Sequence, residues 1–158
     1  MNNTASKKKI RNRATAVIYK DEKLLLFRRV KPNAEYFVFP GGGVNDGETV
    51  EDALHREVEE ELTLKIINYK HLLSINNLKI DNVAINYPTE DQDHHYYLVT
   101  DFHGIPELGG SEKESANESN QYHIEWFTFD ELKNVENIYP RNIAGMLKQK
   151  ILQTELCA

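Results

Sequence analysis

Short apolar runs with strand-like composition alternate with polar breaks along most of this chain, and one segment switches to helical spacing. Arg13 to Tyr19 (RATAVIY) and Lys23 to Val30 (KLLLFRRV) are rich in β-branched and large apolar residues, and the polar Lys20, Asp21 and Glu22 between them predict a hairpin. Glu35 to Phe39 (EYFVF) reads as a further short strand, which Pro40 and the three glycines Gly41, Gly42 and Gly43 must end in a loop. Next, Leu54, Val58 and Leu62 recur every four residues, and Thr49 followed three residues later by Asp52 forms a capping box. Together they predict a helix from Val50 to Leu62 with those three residues as its buried stripe. Strands are expected at Asn68 to Ile75, Val83 to Tyr87, His94 to Phe102 and Ile124 to Phe129. The polar, glycine-bearing stretch Gly104 to Asn120 reads as a long surface loop, and Arg141 to Leu156, after Pro140, as a C-terminal helix.

With 158 residues, 40% of them hydrophobic, the chain suits a single domain with a real core. We expect a basic polar tail over residues 1–12 and one domain over 13–158. No apolar run is long enough to cross a bilayer and the first thirteen residues do not read as a secretory signal, so the expectation is a cytoplasmic protein without membrane contact. The lone Cys157 is compatible with a reducing compartment and carries no assigned chemistry. A formal net charge of −6 argues against a nucleic-acid polymer as the main ligand. The basic Lys7 to Arg13 stretch is read as a solvated lead into the first strand. A small anionic ligand fits this balance if a cation and a few arginines reverse the sign locally.

The helix supplies the reason to expect a cation. At about 100° per residue, Glu57, Glu60 and Glu61 fall within roughly a 100° arc, and like charges at that spacing repel. The positions three and four residues beyond Glu57 hold Glu60 and Glu61 themselves, so no lysine or arginine there offsets it. Oxygen-only ligands of this kind suit Mg²⁺ or Mn²⁺, which can polarise phosphate oxygens.

The pattern Gly42, Glu48, Arg56, Glu57, Glu60 and Glu61, within a segment running from residue 42 to 64, resembles the box of the Nudix hydrolase family. One position departs: Thr63 stands where the family has a glycine that ends the helix in the left-handed conformation. LLLFRR, FVFPGGG and EWFTFDEL around the box also look like Nudix neighbours.

The resemblance implies an α/β (α+β) fold, an α/β/α sandwich around a mixed sheet. It implies hydrolysis of a diphosphate linkage in a small nucleoside diphosphate derivative, with Mg²⁺ or Mn²⁺ as cofactor. It assigns Glu57, Glu60, Glu61 and the Gly41 carbonyl to metal, Glu57 also to general-base work, and Arg56, through Glu48 or a neighbouring carboxylate, to the geometry of the catalytic loop and helix. Gly42 and Glu48 become structural parts of the box. Arg29 and Phe39 are candidates for gripping phosphate and base, and one of Glu112, Glu114 and Glu118 for an additional carboxylate from outside the box. His94, His95, Tyr96 and Tyr97 are read as hydrogen-bonded strand residues. The expected substrate is a non-standard or oxidised nucleoside triphosphate, with nucleotide-sugar (ADP-ribose-like) or dinucleoside polyphosphate hydrolysis and a non-catalytic ligand-binding module as alternatives. A homodimer is compatible with the resemblance.

Overall fold

The computed structural model describes residues 10–78 and 92–156. The expected strand at Val83 to Tyr87, most of the N-terminal tail and Cys157 lie outside them. Strands β1 (Arg11–Lys20) and β2 (Lys23–Lys31) form the expected hairpin. Its two turn residues, Asp21 and Glu22, both have positive φ (52° and 62°), the backbone twist that two-residue hairpins need. β3 (Ala34–Val38) continues from β2, and β4 (Gly41–Gly43) turns back to pair antiparallel with β1. The three glycines therefore add a short strand to the sheet as well as ending the one before.

Helix α1 (Val50–Leu62) has the expected bounds. Thr49 and Asp52 exchange both capping-box bonds, Asp52 N–H to Thr49 Oγ1 at 3.0 Å and Thr49 N–H to Asp52 Oδ2 at 3.2 Å. Thr63 ends the helix at φ 58° and ψ 27°, the left-handed conformation of the glycine it replaces. A later segment of the chain completes the cap: the N–H groups of Glu107 and Gly109 donate to the carbonyls of Leu62 and Glu61, each at 3.0 Å.

β5 (Lys65–Leu78) and β6 (Gln92–His103) pair antiparallel with several register shifts, and β6 runs parallel to β1 over eight residue pairs. Helix α2 (Gly110–Ser115) and an Asn117–Asn120 bridge occupy the stretch expected to be an unstructured loop. β7 (Gln121–Phe127) begins three residues earlier than expected and pairs with β2. Phe129 belongs to the short helix α3 (Phe129–Leu132), because Thr128 caps that helix and ends the strand. The two-residue strand β8 (Ile138–Tyr139) pairs with β3, and α4 (Ile143–Leu156) starts two residues later than expected.

The sheet is mixed, with order β5-β6-β1-β2-β3-β8. Alternation along β1 sends Ala14, Ala16 and Ile18 to one face, where Ala53, Leu54, Val58 and Leu62 of α1 cover them. Val17 faces the other way, into a cluster with Ile143, Leu147 and Ile151 of α4. A helix on each face of a mixed sheet is the expected sandwich. At about 1.5–3 kcal/mol per fully buried aliphatic side chain, the first of these cores holds α1 on the sheet beside the glycine strand and the second holds α4 on the opposite face.

Candidate active site

Arg56 organises the box. Its Nε and Nη2 donate to the two oxygens of Glu48 at 2.7 and 2.9 Å, a bidentate pair. Its Nη2 also donates to the Gly43 carbonyl at 3.0 Å, and its Nη1 to Glu57 Oε1 at 2.8 Å and Glu60 Oε2 at 3.3 Å. The guanidinium, helped by the Asn45 N–H, holds the Glu48 carboxyl down to about pKa 2. In return, chiefly through Glu48, the arginine's own pKa is raised. One side chain thus ties the loop after β4 to two turns of α1, and Arg56 here positions carboxylates.

The three glutamates part company in the folded chain. Glu61 is 5% exposed and its Oε2 accepts from the Gly41 N–H at 3.4 Å. Burial pushes its carboxyl well above the usual range, and a hydrogen bond and like charge from Glu57, with further charge from Glu112, push the same way; Arg13 opposes them. Glu57 lies against Gly42, whose missing side chain makes the approach possible, since a Cβ there would land on the Glu57 carboxylate. Glu60 instead turns to solvent, its side chain 54% exposed and held by Arg56. Glu57 and Glu61, one helical turn apart, are therefore the paired carboxylates.

Gly41 is fixed between two partners. Its N–H donates to Glu61 while its carbonyl accepts from Arg13 Nη2 at 3.2 Å, leaving a second lone pair on that oxygen. Arg13 was read from sequence only as the start of the first strand. Its place in β1, opposite Gly43, is what carries it to the site. Among the three loop carboxylates named above, Glu112 is the one whose charge reaches Glu61.

Among the described residues no three His, Cys, Asp or Glu side chains already surround one point in metal-holding geometry. The donor set nevertheless fits a hard divalent cation. Two carboxylates are pressed together, one of them buried and pushed toward its neutral form, with a backbone carbonyl alongside; a cation relieves that arrangement and takes such oxygens as ligands.

Arg29 and Phe39 are placed differently from this cluster. The Arg29 guanidinium lies 3.6 Å from the centre of the Tyr122 ring and 5.8 Å from that of Tyr36. It donates to the Asn120 side chain and, at 3.4 Å, to the Gln121 carbonyl. Phe39 is buried in the core on the α4 side and borders a narrow cleft with Arg13, Thr15 and His94. His94 is buried, with Nε2 2.9 Å from Gln92 Oε1, and burial, with the nearby Arg13 and His95 charges, pushes its pKa down to about 4.

A mixed sheet between helices, with a loop and helix carrying paired glutamates locked by one arginine, defines a Nudix-type domain. The family model described as the NUDIX domain matches residues 9–147, and the chain belongs to that family. It is 36% identical over 73 residues to an 8-oxo-dGTP diphosphatase of Haemophilus influenzae, covering 46% of this chain and 48% of that protein. It is 35% identical over 98 residues to an ADP-ribose pyrophosphatase of Methanocaldococcus jannaschii, covering 61% and 51%. The chain thus spans about half the length of these curated relatives. A MutT NUDIX hydrolase from Burkholderia pseudomallei superposes with a TM-score of 0.66 at 27% identity, over 86% of this chain and 95% of that one.

Proposed function

We propose that this protein is a divalent-metal-dependent pyrophosphohydrolase acting on a small nucleotide, with a non-standard or oxidised nucleoside triphosphate as substrate. The observation that carries the reading is the Glu57–Glu61 pair seated on the Gly41–Gly42 backbone and held by Arg56. Glu57, Glu61 and the Gly41 carbonyl would hold Mg²⁺ or Mn²⁺, with Glu60 reaching in from the rim and Glu112 contributing from α2. Such an ion neutralises charge on the diphosphate and its leaving oxygen.

The chain's own groups do the remaining work. Glu57, partly exposed and fixed by Arg56 Nη1, is placed to accept the proton of an attacking water. Arg13 adds a positive charge beside Gly41 that could meet a phosphate held there. Arg29 and Phe39 are proposed as substrate contacts, Arg29 through Nη1, since its Nε and Nη2 already donate to Gln121 and Asn120. We further propose that residues 13–158 act as one domain in the cytoplasm; among the described residues no helix is long and apolar enough to cross a membrane.

The archaeal relative, matched over more of this chain than the bacterial one, favours ADP-ribose-like substrates as the second reading. A screen of phosphate, pyrophosphate and nucleotide release with Mg²⁺ or Mn²⁺ separates them, using oxidised and ordinary nucleoside triphosphates, ADP-ribose and dinucleoside polyphosphates. Chelator-sensitive pyrophosphate release from a triphosphate supports the proposal. Turnover confined to ADP-ribose favours the second reading, and metal binding without turnover on any of them points to a ligand-binding module.

A further inference from the structure

Two strands from the glycine strand, the face shared by β5, β6 and β1 carries a second set of ligating groups that the carboxylate site does not use. His71 Nε2 lies 2.8 Å from Ser74 Oγ, and the same oxygen lies 2.7 Å from His95 Nδ1. Strand alternation alone would put His71 and Ser74, three residues apart, on opposite faces of β5. The register shift between His71 and Leu73 brings them to the same side.

Both rings are held in place. His95 Nε2 lies 3.0 Å from Asn12 Oδ1, and that carbonyl oxygen can only accept, so His95 carries its proton on Nε2 and presents Nδ1 as a lone pair. The Ser74 hydroxyl then donates to His95 and accepts from His71 Nε2–H. The His71 ring packs edge-on to Tyr97, with centroids 5.4 Å apart at 73°. Two imidazoles thus aim ring nitrogens at one oxygen on an exposed surface, open to water.

We propose that His71 Nε2 and His95 Nδ1 form a two-imidazole clasp for a borderline transition-metal ion such as Zn²⁺, with water completing its shell. Neutral imidazole suits this class of ion, whereas the carboxylate-rich centre suits Mg²⁺ and Mn²⁺. Binding requires that the Ser74 hydroxyl rotate out from between the rings, that His71 move its proton to Nδ1, and that the two nitrogens draw in from 2.8 and 2.7 Å around that oxygen to the roughly 2.0–2.1 Å of a Zn–N bond. The Asn12 bond to His95 is retained and acts as the outer partner that fixes the ligating tautomer.

The test is calorimetric titration of the full chain with Zn²⁺ in excess Mg²⁺, alongside ¹⁵N spectra of the histidine side chains. The His71 Nε2 and His95 Nδ1 resonances should move on Zn²⁺ addition while those of His103 and His123 stay. His71→Gln and His95→Gln should each weaken binding at least tenfold, whereas Ser74→Ala, which removes the competing hydroxyl, should leave it as tight or tighter. Unmoved His71 and His95 nitrogens, or undiminished Zn²⁺ affinity in the His71→Gln/His95→Gln double variant, would overturn the proposal. Should a variant fail to fold, the nitrogen shifts of the native chain decide the question.

Discussion

Replacing His94 with glutamine should remove a component of acid sensitivity whose size follows from its surroundings. His94 is 2% exposed, and its pKa is pushed from the ordinary 6.5 down to about 4. Below pH 6.5 the unfolded chain takes up a proton at this residue and the folded chain does not until about pH 4. Stability therefore falls as pH drops through that window, by up to about 1.4 kcal/mol per pH unit. Across the whole window His94 contributes about 3 kcal/mol of acid destabilisation, fully expressed below pH 4. Glutamine can keep a polar contact to Gln92 without titrating. Urea unfolding of native protein and His94→Gln at intervals between pH 7.5 and 4 gives the difference directly, since other titrating groups are common to both. The two stabilities should converge as pH falls, the native protein losing its advantage. Parallel curves over the whole range would refute the reasoning.

Glu57→Gln and Glu61→Gln should each lower turnover by about a hundredfold or more while circular dichroism stays unchanged. In metal-free buffer near neutral pH, Glu61→Gln should also raise the thermal midpoint, because it removes a buried acid pressed against Glu57; an unchanged or lowered midpoint would argue against that pressure. Arg56→Lys cannot reproduce the bidentate bond to Glu48 together with the Gly43 and Glu57 contacts, and should cost roughly 10–100-fold in activity or metal affinity. Thr63→Gly should stabilise the fold by about 1 kcal/mol in urea melts, since a β-branched residue at φ 58° carries strain that glycine lacks.

What the sequence revealed and what it hid divide along local and non-local lines. Helix α1 was legible because its cap and its stripe are local signals. The left-handed turn at Thr63 was suggested only by the family resemblance, which puts a glycine there, while the threonine itself argued against it. β4 was hidden, since glycines carry no side-chain pattern and the strand exists only through backbone pairing with β1. The helical wheel put Glu57, Glu60 and Glu61 together, yet could not rank them. Packing of α1 against Gly41 and Gly42 does that, turning Glu57 and Glu61 inward and leaving Glu60 with Arg56. Arg29 was singled out only through the family resemblance, as a candidate substrate contact; its partners Tyr122, Asn120 and Gln121 lie about ninety residues away and reach it only through β2–β7 pairing. Arg13 had no local signal beyond its charge.

Glu57 and Glu61 are proposed to seat together the ion required for diphosphate cleavage. Titration with Mn²⁺ followed by electron paramagnetic resonance tests it most directly, comparing native protein with the Glu57→Gln/Glu61→Gln double variant under matched conditions. Mn²⁺ should be bound by the native chain, with affinity at least tenfold weaker in the folded double variant. Mn²⁺ held equally well by both would contradict it and move the metal away from this pair.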